Sequence, residues 1–108
     1  MPPDLNEIRR AFCDRRYLPT IHALEQLLER HISLAQVDSA ICEDSPEIIE
    51  DYIGDLRGPS CLIFGWGDLV RPLHMQVGYA PPGLAALPTL IIVYEPDPAK
   101  WRNYRERF

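Results

Sequence analysis

The chain opens with two stretches in which apolar residues recur every three or four positions, the spacing of an amphipathic helix. Asp4 stands before the first stretch and predicts the N-cap of a helix over residues 4 to 16. Thr20 caps the second predicted helix, which ends at His31, a position often occupied by glycine in the left-handed conformation. The apolar stripe of this second helix consists of Ile21, Leu24, Leu27 and Leu28.

A third, shorter helix is predicted after the second. Ser33 and Gln36 have the spacing of a capping box, in which the two side chains satisfy backbone N–H groups at the start of a helix. Val37, Ala40 and Ile41 then face inward from this helix. The helical pattern ends soon afterwards.

Beyond Pro46 the apolar runs are short, rich in β-branched or aromatic residues, and bounded by glycine and proline. They predict four strands joined by short connections, and therefore an antiparallel meander. The four strands are Glu47 to Ile53, Cys61 to Trp66, Leu69 to Ala80 and Thr89 to Glu95.

After the last strand, Asp97 and Pro98 suit the cap and first turn of a C-terminal helix carrying Trp101 and Tyr104. Helices followed by a run of strands indicate an α+β fold, with the N-terminal helices packed on one face of a four-stranded antiparallel sheet and a short C-terminal helix. The chain has 108 residues and 46% of them are hydrophobic, so residues 1–108 are predicted to form a single domain with its own core.

The distribution of charge limits the classes of partner. A formal net charge of −5 argues against a protein that binds nucleic acid through bulk positive charge. If the first and last predicted helices lie side by side, they form a local basic surface; alternatively both are ordinary solvated faces. The basic residues in question are Arg9, Arg10, Arg15 and Arg16 in the first helix and Lys100, Arg102, Arg105 and Arg107 in the last.

Three cysteines at wide spacing, with no C-x-x-C pair, predict reduced and largely buried thiols rather than a disulfide or a zinc site. The histidines are far apart in sequence and no carboxylate cluster brackets them, so neither a metal nor another cofactor is expected. There is no signal-peptide pattern and no run long enough to span a membrane, which predicts a cytoplasmic protein without a membrane partner.

Four residues are candidates for a functional site. His22 lies at the polar edge of the second helix, where it can transfer a proton near neutral pH or act only as a hydrogen-bonding surface residue. Alternation along the third strand places His74 on the face away from the helices or in an open groove, with Arg71 close by. Such a pair suits an anionic substrate, but it is also common as a structural feature. Tyr94 ends the fourth strand, either as a lid on the core or as a donor in the site.

Several segments follow one another in a distinctive order. They are Ile21-His22-Ala23, Glu29 to Ser33, Glu47 to Tyr52, Pro59 to Leu62, Arg71-Pro72-Leu73-His74, and Val93 to Pro98 with Trp101. Over residues 20–104 the chain thereby resembles a family of small bacterial proteins, domain of unknown function 4258. His31 departs from the family pattern, which has glycine after Glu-Arg. The resemblance implies helices followed by a four-stranded antiparallel sheet, and a fold-level similarity to RelE-type and barnase-like ribonuclease toxins.

The resemblance implies a site composed of His22, Arg71, His74 and Tyr94, and two functions stay open. The first is a non-catalytic module, or remnant of the toxin-like fold, that binds an antitoxin-like protein partner or self-associates. In it, Arg71 pairs with a carboxylate such as Glu50. The alternative is a metal-independent ribonuclease in which the two histidines move protons and Arg71 binds the phosphate of RNA. The alternative requires the four side chains to converge on one accessible cleft.

Overall fold

The computed structural model describes residues 3–43, 45–54, 58–80 and 86–108. The first helix, α1, spans Leu5–Cys13, and the Asp4 carboxylate accepts hydrogen bonds from the backbone N–H groups of Asn6 and Glu7. The second, α2, spans Ile21–Arg30 and begins at the Thr20 cap. His31 ends α2 in the left-handed conformation, with φ of 53°. The predicted caps of both helices are therefore confirmed.

The third helix, α3, spans Leu34–Asp38 and continues as a π-helical turn over Ser39–Glu43. Both bonds of the predicted capping box are present at its start, between Ser33 and Gln36. The three residues predicted to face inward, Val37, Ala40 and Ile41, are fully buried. The π-helical turn approaches the sheet so closely at Gly65 that a Cβ atom there would collide with the backbone of Ala40.

The main sheet has five strands and is mixed, whereas four antiparallel strands were predicted. Its strands are β1 (Leu18–Pro19), β2 (Glu47–Tyr52), β3 (Ser60–Gly67), β4 (Arg71–Gly78) and β5 (Thr89–Tyr94), in the spatial order β1-β5-β4-β3-β2. Strands β2 to β5 form the predicted antiparallel meander. The extra strand, β1, pairs in parallel with β5, and at two residues it is too short to show a period of two in the sequence.

The predicted C-terminal helix is wrong. Asp97 caps a single turn, accepting a hydrogen bond from the Ala99 N–H, but the chain then forms a hairpin of β6 (Trp101–Arg102) and β7 (Glu106–Arg107). Two residues in the hairpin turn, Asn103 and Tyr104, have positive φ angles of 51° and 61°. Packing against the sheet overrides the local helical signal here, because the two aromatic residues of this segment contact the aromatic face of the sheet.

The two faces of the sheet are covered by different parts of the chain. On one face, α1, α3 and the π-helical turn bury the core residues Cys61, Ile63, Leu73, Met75 and Val77. The opposite face carries His74 and is covered around His74 by residues 96–108, which we call the C-terminal segment. The arginines of α1 and of the C-terminal segment therefore lie on opposite faces, so the joint basic surface considered above does not form.

Helix α2 packs against the exposed edge of β5 through polar side chains. Gln26 accepts a hydrogen bond from the Val93 N–H at 2.9 Å, and Arg30 donates one to the Val93 carbonyl at 3.2 Å. These side chains satisfy a strand edge that would otherwise be unpaired. Ala23 and Leu27 are buried beside them, but Ile21, Leu24 and Leu28 are exposed. The predicted apolar stripe of α2 therefore faces solvent, with Leu27 as its one buried member.

The prediction of three reduced cysteines is also wrong. Cys13, at the end of α1, forms a disulfide with Cys42 in the π-helical turn. Arg9 strengthens the same contact by donating hydrogen bonds to the carbonyls of Ile41 and Cys42. The pairing depends on how α1 packs, which sequence spacing does not show. Cys61 is free and buried, as predicted.

Candidate functional site

His74 lies at the centre of the sheet face opposite the helices and is completely buried. Its Nε2 is 2.6 Å from the carbonyl oxygen of Tyr104, and its Nδ1 is 3.1 Å from the hydroxyl oxygen of Tyr94. A carbonyl only accepts, so Nε2 carries the hydrogen; in the neutral ring, Nδ1 then accepts from the Tyr94 hydroxyl. Burial lowers the pKa of His74 below its ordinary value of 6.5 and favours this neutral form.

Around His74 lies a group of polar side chains from β2 and the C-terminal segment. Glu50 accepts hydrogen bonds from Arg107 at 2.8 and 3.1 Å and a further one from the Tyr52 hydroxyl. The Arg107 hydrogen bond is the main reason why the pKa of Glu50 is below its ordinary value. Burial raises the pKa of Tyr94, which keeps its hydroxyl protonated for the bond to His74. The polar groups of this face are thus paired with one another.

The C-terminal segment covers this polar group with aromatic rings. The Trp101 ring packs edge-on against His74 with centroids 4.5 Å apart, and the Arg107 guanidinium lies 4.5 Å from the Trp101 ring centroid. Tyr104 packs against Phe64 and Trp66. The left-handed conformation of Tyr104 is costly for a non-glycine residue, and these ring contacts, together with the His74 bond, hold it in place.

Arg71 lies on the other side of the sheet, because it shares the alternation of Leu73 and Met75 rather than that of His74. Its guanidinium donates to the carbonyls of Arg30 and His31, at 2.8 and 2.6 Å, and so caps the C-terminal end of α2. It also pairs with Glu95. The carboxylate partner suggested by the sequence, Glu50, is instead bound by Arg107.

His22 is exposed on α2, and its Nε2 is 3.2 Å from the side-chain nitrogen of Gln26. It belongs to the helix that covers the β5 edge, while His74 lies beneath the C-terminal segment. Of the four predicted residues, the structure thus brings together only His74 and Tyr94, which are directly paired positions of β4 and β5. No single accessible cleft unites the four.

Sequence reasoning did not place Glu50, Trp101 and Arg107 in the site, although they complete and cover the group around His74. Side chains alternate between the two sheet faces along β2, and the bulge between Ile48 and Glu50 shifts this alternation. Glu50 can be assigned to the face of His74 only if the bulge is known. Trp101 and Arg107 depend on the C-terminal hairpin, which was predicted as a helix. No sequence signal resolves either point.

A cavity of about 330 Å³ opens further along the same sheet face. Its polar lining includes Ser60, Gln76 and Thr89, and Gln76 donates a hydrogen bond to the Ser60 hydroxyl at 3.0 Å. Among the described residues of its lining, Tyr79 contributes the one titratable side chain. The described lining residues therefore form a neutral polar surface and include no acid–base pair.

A different surface feature lies on α2. Ile21, Leu24 and Leu28 are spaced three and four residues apart, so they form one continuous row along the exposed side of the helix. Leu18 of β1 adds a fourth exposed apolar side chain just before the helix. We call these four residues the α2 stripe. Ile21 is 77% exposed and Leu28 is 80% exposed, so neither packs against the described part of the chain.

Two kinds of site are not found among the described residues. No three histidine, cysteine or carboxylate side chains are grouped as a metal site would require. Within residues 3–43, 45–54, 58–80 and 86–108, no helix combines the length and the apolar character needed to cross a bilayer.

The fold is thus that of a small α+β domain whose C-terminal segment covers the sheet face around His74. By sequence the chain belongs to the family described as Domain of unknown function (DUF4258), whose model matches residues 20–95. The matched stretch ends before the segment that covers His74. No curated protein matches the chain, and no solved structure does.

Proposed function

We propose that this chain is a non-catalytic domain that binds a protein partner through the α2 stripe. The observation that carries the proposal is the exposure of Ile21, Leu24 and Leu28 in one row, on a helix that already buries Ala23 and Leu27. An amphipathic helix at a protein surface needs an apolar face only where it packs, and the apolar face of α2 extends beyond its buried part into solvent. Contiguous apolar side chains at a surface are typical of protein interaction sites.

The geometry of the predicted catalytic residues supports the proposal that the domain is non-catalytic. A general acid or base must reach its substrate, and His74 has no exposed surface. A phosphate ligand must have several free donors, but four hydrogen bonds already engage the Arg71 guanidinium, two to backbone carbonyls, one to Gln36 and one to Glu95. The ribonuclease alternative lacks a common cleft in this structure.

A selection from a random peptide library displayed on phage tests the binding function. The full chain is the target, and the Leu24→Ser/Leu28→Ser double variant is the counter-target. We expect selected peptides to bind the wild type and to lose at least tenfold in affinity for the double variant. Leu69→Ser/Val70→Ser is the matched control, since both residues are exposed apolar side chains in the turn between β3 and β4. Peptides that bind all three proteins equally would refute the proposed surface.

Incubation with mixed RNA in the absence of divalent metal tests the alternative. We expect the wild type to leave the RNA intact, as do His22→Ala and His74→Ala. Cleavage by the wild type that both variants abolish would establish the ribonuclease and overturn the non-catalytic assignment.

A further inference from the structure

We propose that the α2 stripe binds an amphipathic helix of a partner protein whose apolar row is flanked by lysine or arginine. This inference rests on the proposed function and specifies the chemistry of the partner. It is carried by two acidic residues beside the stripe, Glu25 and Glu29, which no cationic side chain among the described residues neutralises.

The position of the acids follows from helix geometry. Glu25 comes four residues after Ile21 and three before Leu28, so it lies beside both on the helix surface. Glu29 follows Glu25 by one turn and extends the same acidic edge. Both side chains are exposed. The α2 stripe is therefore apolar along its centre and negative along one flank.

These two acids differ from three other glutamates of the chain. Glu47, Glu50 and Glu95 are each paired with an arginine, whereas neither Glu25 nor Glu29 has an ion pair within the described residues. The basic residue that ends the helix, Arg30, is turned toward the sheet, where it donates to the Val93 carbonyl. The described part of the chain thus leaves the negative flank available for cations of a partner.

The length of the stripe fits one short helix. From Ile21 to Leu28 the row covers about 10 Å at 1.5 Å per residue, or two turns. A partner helix laid along it would contribute apolar residues at the same three- and four-residue spacing, and its flanking positions would lie over Glu25 and Glu29. Opposite charges at the rim of such a contact add specificity and speed association.

A second copy of the chain fits this surface less well. In an antiparallel pair of α2 helices related by a two-fold axis, equal flanks meet, so Glu25 and Glu29 would lie against their own copies. In a parallel pair the acidic flank would meet the flank of Thr20 and His31, which carries no fixed positive charge. Charge complementarity therefore favours a different, basic partner.

Two synthetic peptides test the assignment. Each is an 18-residue amphipathic helix with leucines in one row; in the first, lysines flank the row, and in the second, glutamates replace those lysines. Fluorescence anisotropy with the full chain at low salt should give about tenfold tighter binding of the lysine peptide, because its cations pair with Glu25 and Glu29, which repel the glutamates of the second peptide. Glu25→Lys/Glu29→Lys should reverse the preference, and Leu69→Ser/Val70→Ser should leave it unchanged.

The outcomes separate the two proposals. If both peptides bind equally but lose affinity for Leu24→Ser/Leu28→Ser, the interaction function stands and the basic partner is wrong. If neither peptide depends on Leu24 and Leu28, the proposed function itself fails. A dimer of the wild type, detected by light scattering and lost in Leu24→Ser/Leu28→Ser, would identify a second copy as the occupant and overturn the inference.

Discussion

His74 donates its Nε2 hydrogen to the backbone carbonyl of Tyr104 at a distance of 2.6 Å. Through this bond the centre of the sheet holds the turn of the C-terminal hairpin, where Tyr104 has a positive φ angle of 61°. A histidine that sequence reasoning placed in a catalytic role thus has both ring nitrogens bound within the fold. Its effect on stability is therefore measurable without any substrate.

Replacement of His74 by alanine should lower the free energy of unfolding by about 3 kcal/mol, because it leaves a cavity under Trp101 and removes both hydrogen bonds. Urea denaturation followed by tryptophan fluorescence measures this change. His22→Ala is the matched control; His22 is exposed, and we expect its loss to cost less than about 0.5 kcal/mol. Equal effects of the two variants would contradict the structural role of His74.

The stability should also depend on pH through His74. Burial lowers the pKa of His74 below 6.5 in the folded state, and the charge of Arg107 acts in the same direction. The facing carboxylate of Glu50 raises this pKa but does not outweigh the burial. As the pH falls, His74 therefore binds a proton at a higher pH in the unfolded chain than in the folded one. The stability that neutral His74 contributes is complete above about pH 6.5 and is lost as the pH falls through the folded pKa. Urea midpoints from pH 7.5 to 5 should fall for the wild type and fall less for His74→Phe. Parallel curves would exclude His74 as the cause.

Arg71 should stabilise the fold by capping α2. Arg71→Ala removes the donors for the Arg30 and His31 carbonyls, and we expect a loss of about 2–3 kcal/mol. Arg71→Lys should recover part of this loss, since an ammonium group cannot reach both carbonyls and Glu95 in the same fork geometry. Thermal unfolding should show stability that decreases from the wild type to Arg71→Lys to Arg71→Ala. Arg10→Ala, at an exposed site on α1, serves as the control. An Arg71→Ala protein as stable as Arg10→Ala would refute the capping role.

The Cys13–Cys42 disulfide should make stability depend on redox conditions. It closes a loop of 29 residues, for which the chain-entropy estimate is about 3–4 kcal/mol. We expect dithiothreitol to lower the unfolding midpoint of the wild type to that of Cys13→Ser, and to leave Cys13→Ser itself unchanged. A reductant-insensitive wild type would show that the bond does not form in solution.

Much of the fold follows from local signals in the sequence. Asp4, Thr20 and Ser33 mark the helix starts because each satisfies backbone N–H groups within three residues. The four strands of the meander are predictable from their β-branched and aromatic runs. The fifth strand and the C-terminal hairpin are not, since each is a short segment whose conformation is set by pairing or packing with distant residues.

Less of the candidate site than of the fold could be predicted from the sequence. Alternation along β4 correctly separates His74 from Leu73 and Met75, and the pairing with Tyr94 follows from the neighbouring strand. The same alternation puts Arg71 on the helix side, although nearness in sequence suggested a shared site. Likewise, helical spacing identifies the row of Ile21, Leu24 and Leu28, but the direction it faces is decided by Gln26 and Arg30 at the β5 edge.

The central claim is that a partner binds at the α2 stripe rather than at the face of His74. Its most direct test is a map of backbone amide chemical shifts of the full chain, titrated with a peptide from the library selection. We predict shifts at Leu18 and along α2, with the amides of His74 and Tyr94 unchanged. Shifts confined to the residues around His74 and the C-terminal segment would contradict the claim and locate the binding site on the opposite sheet face.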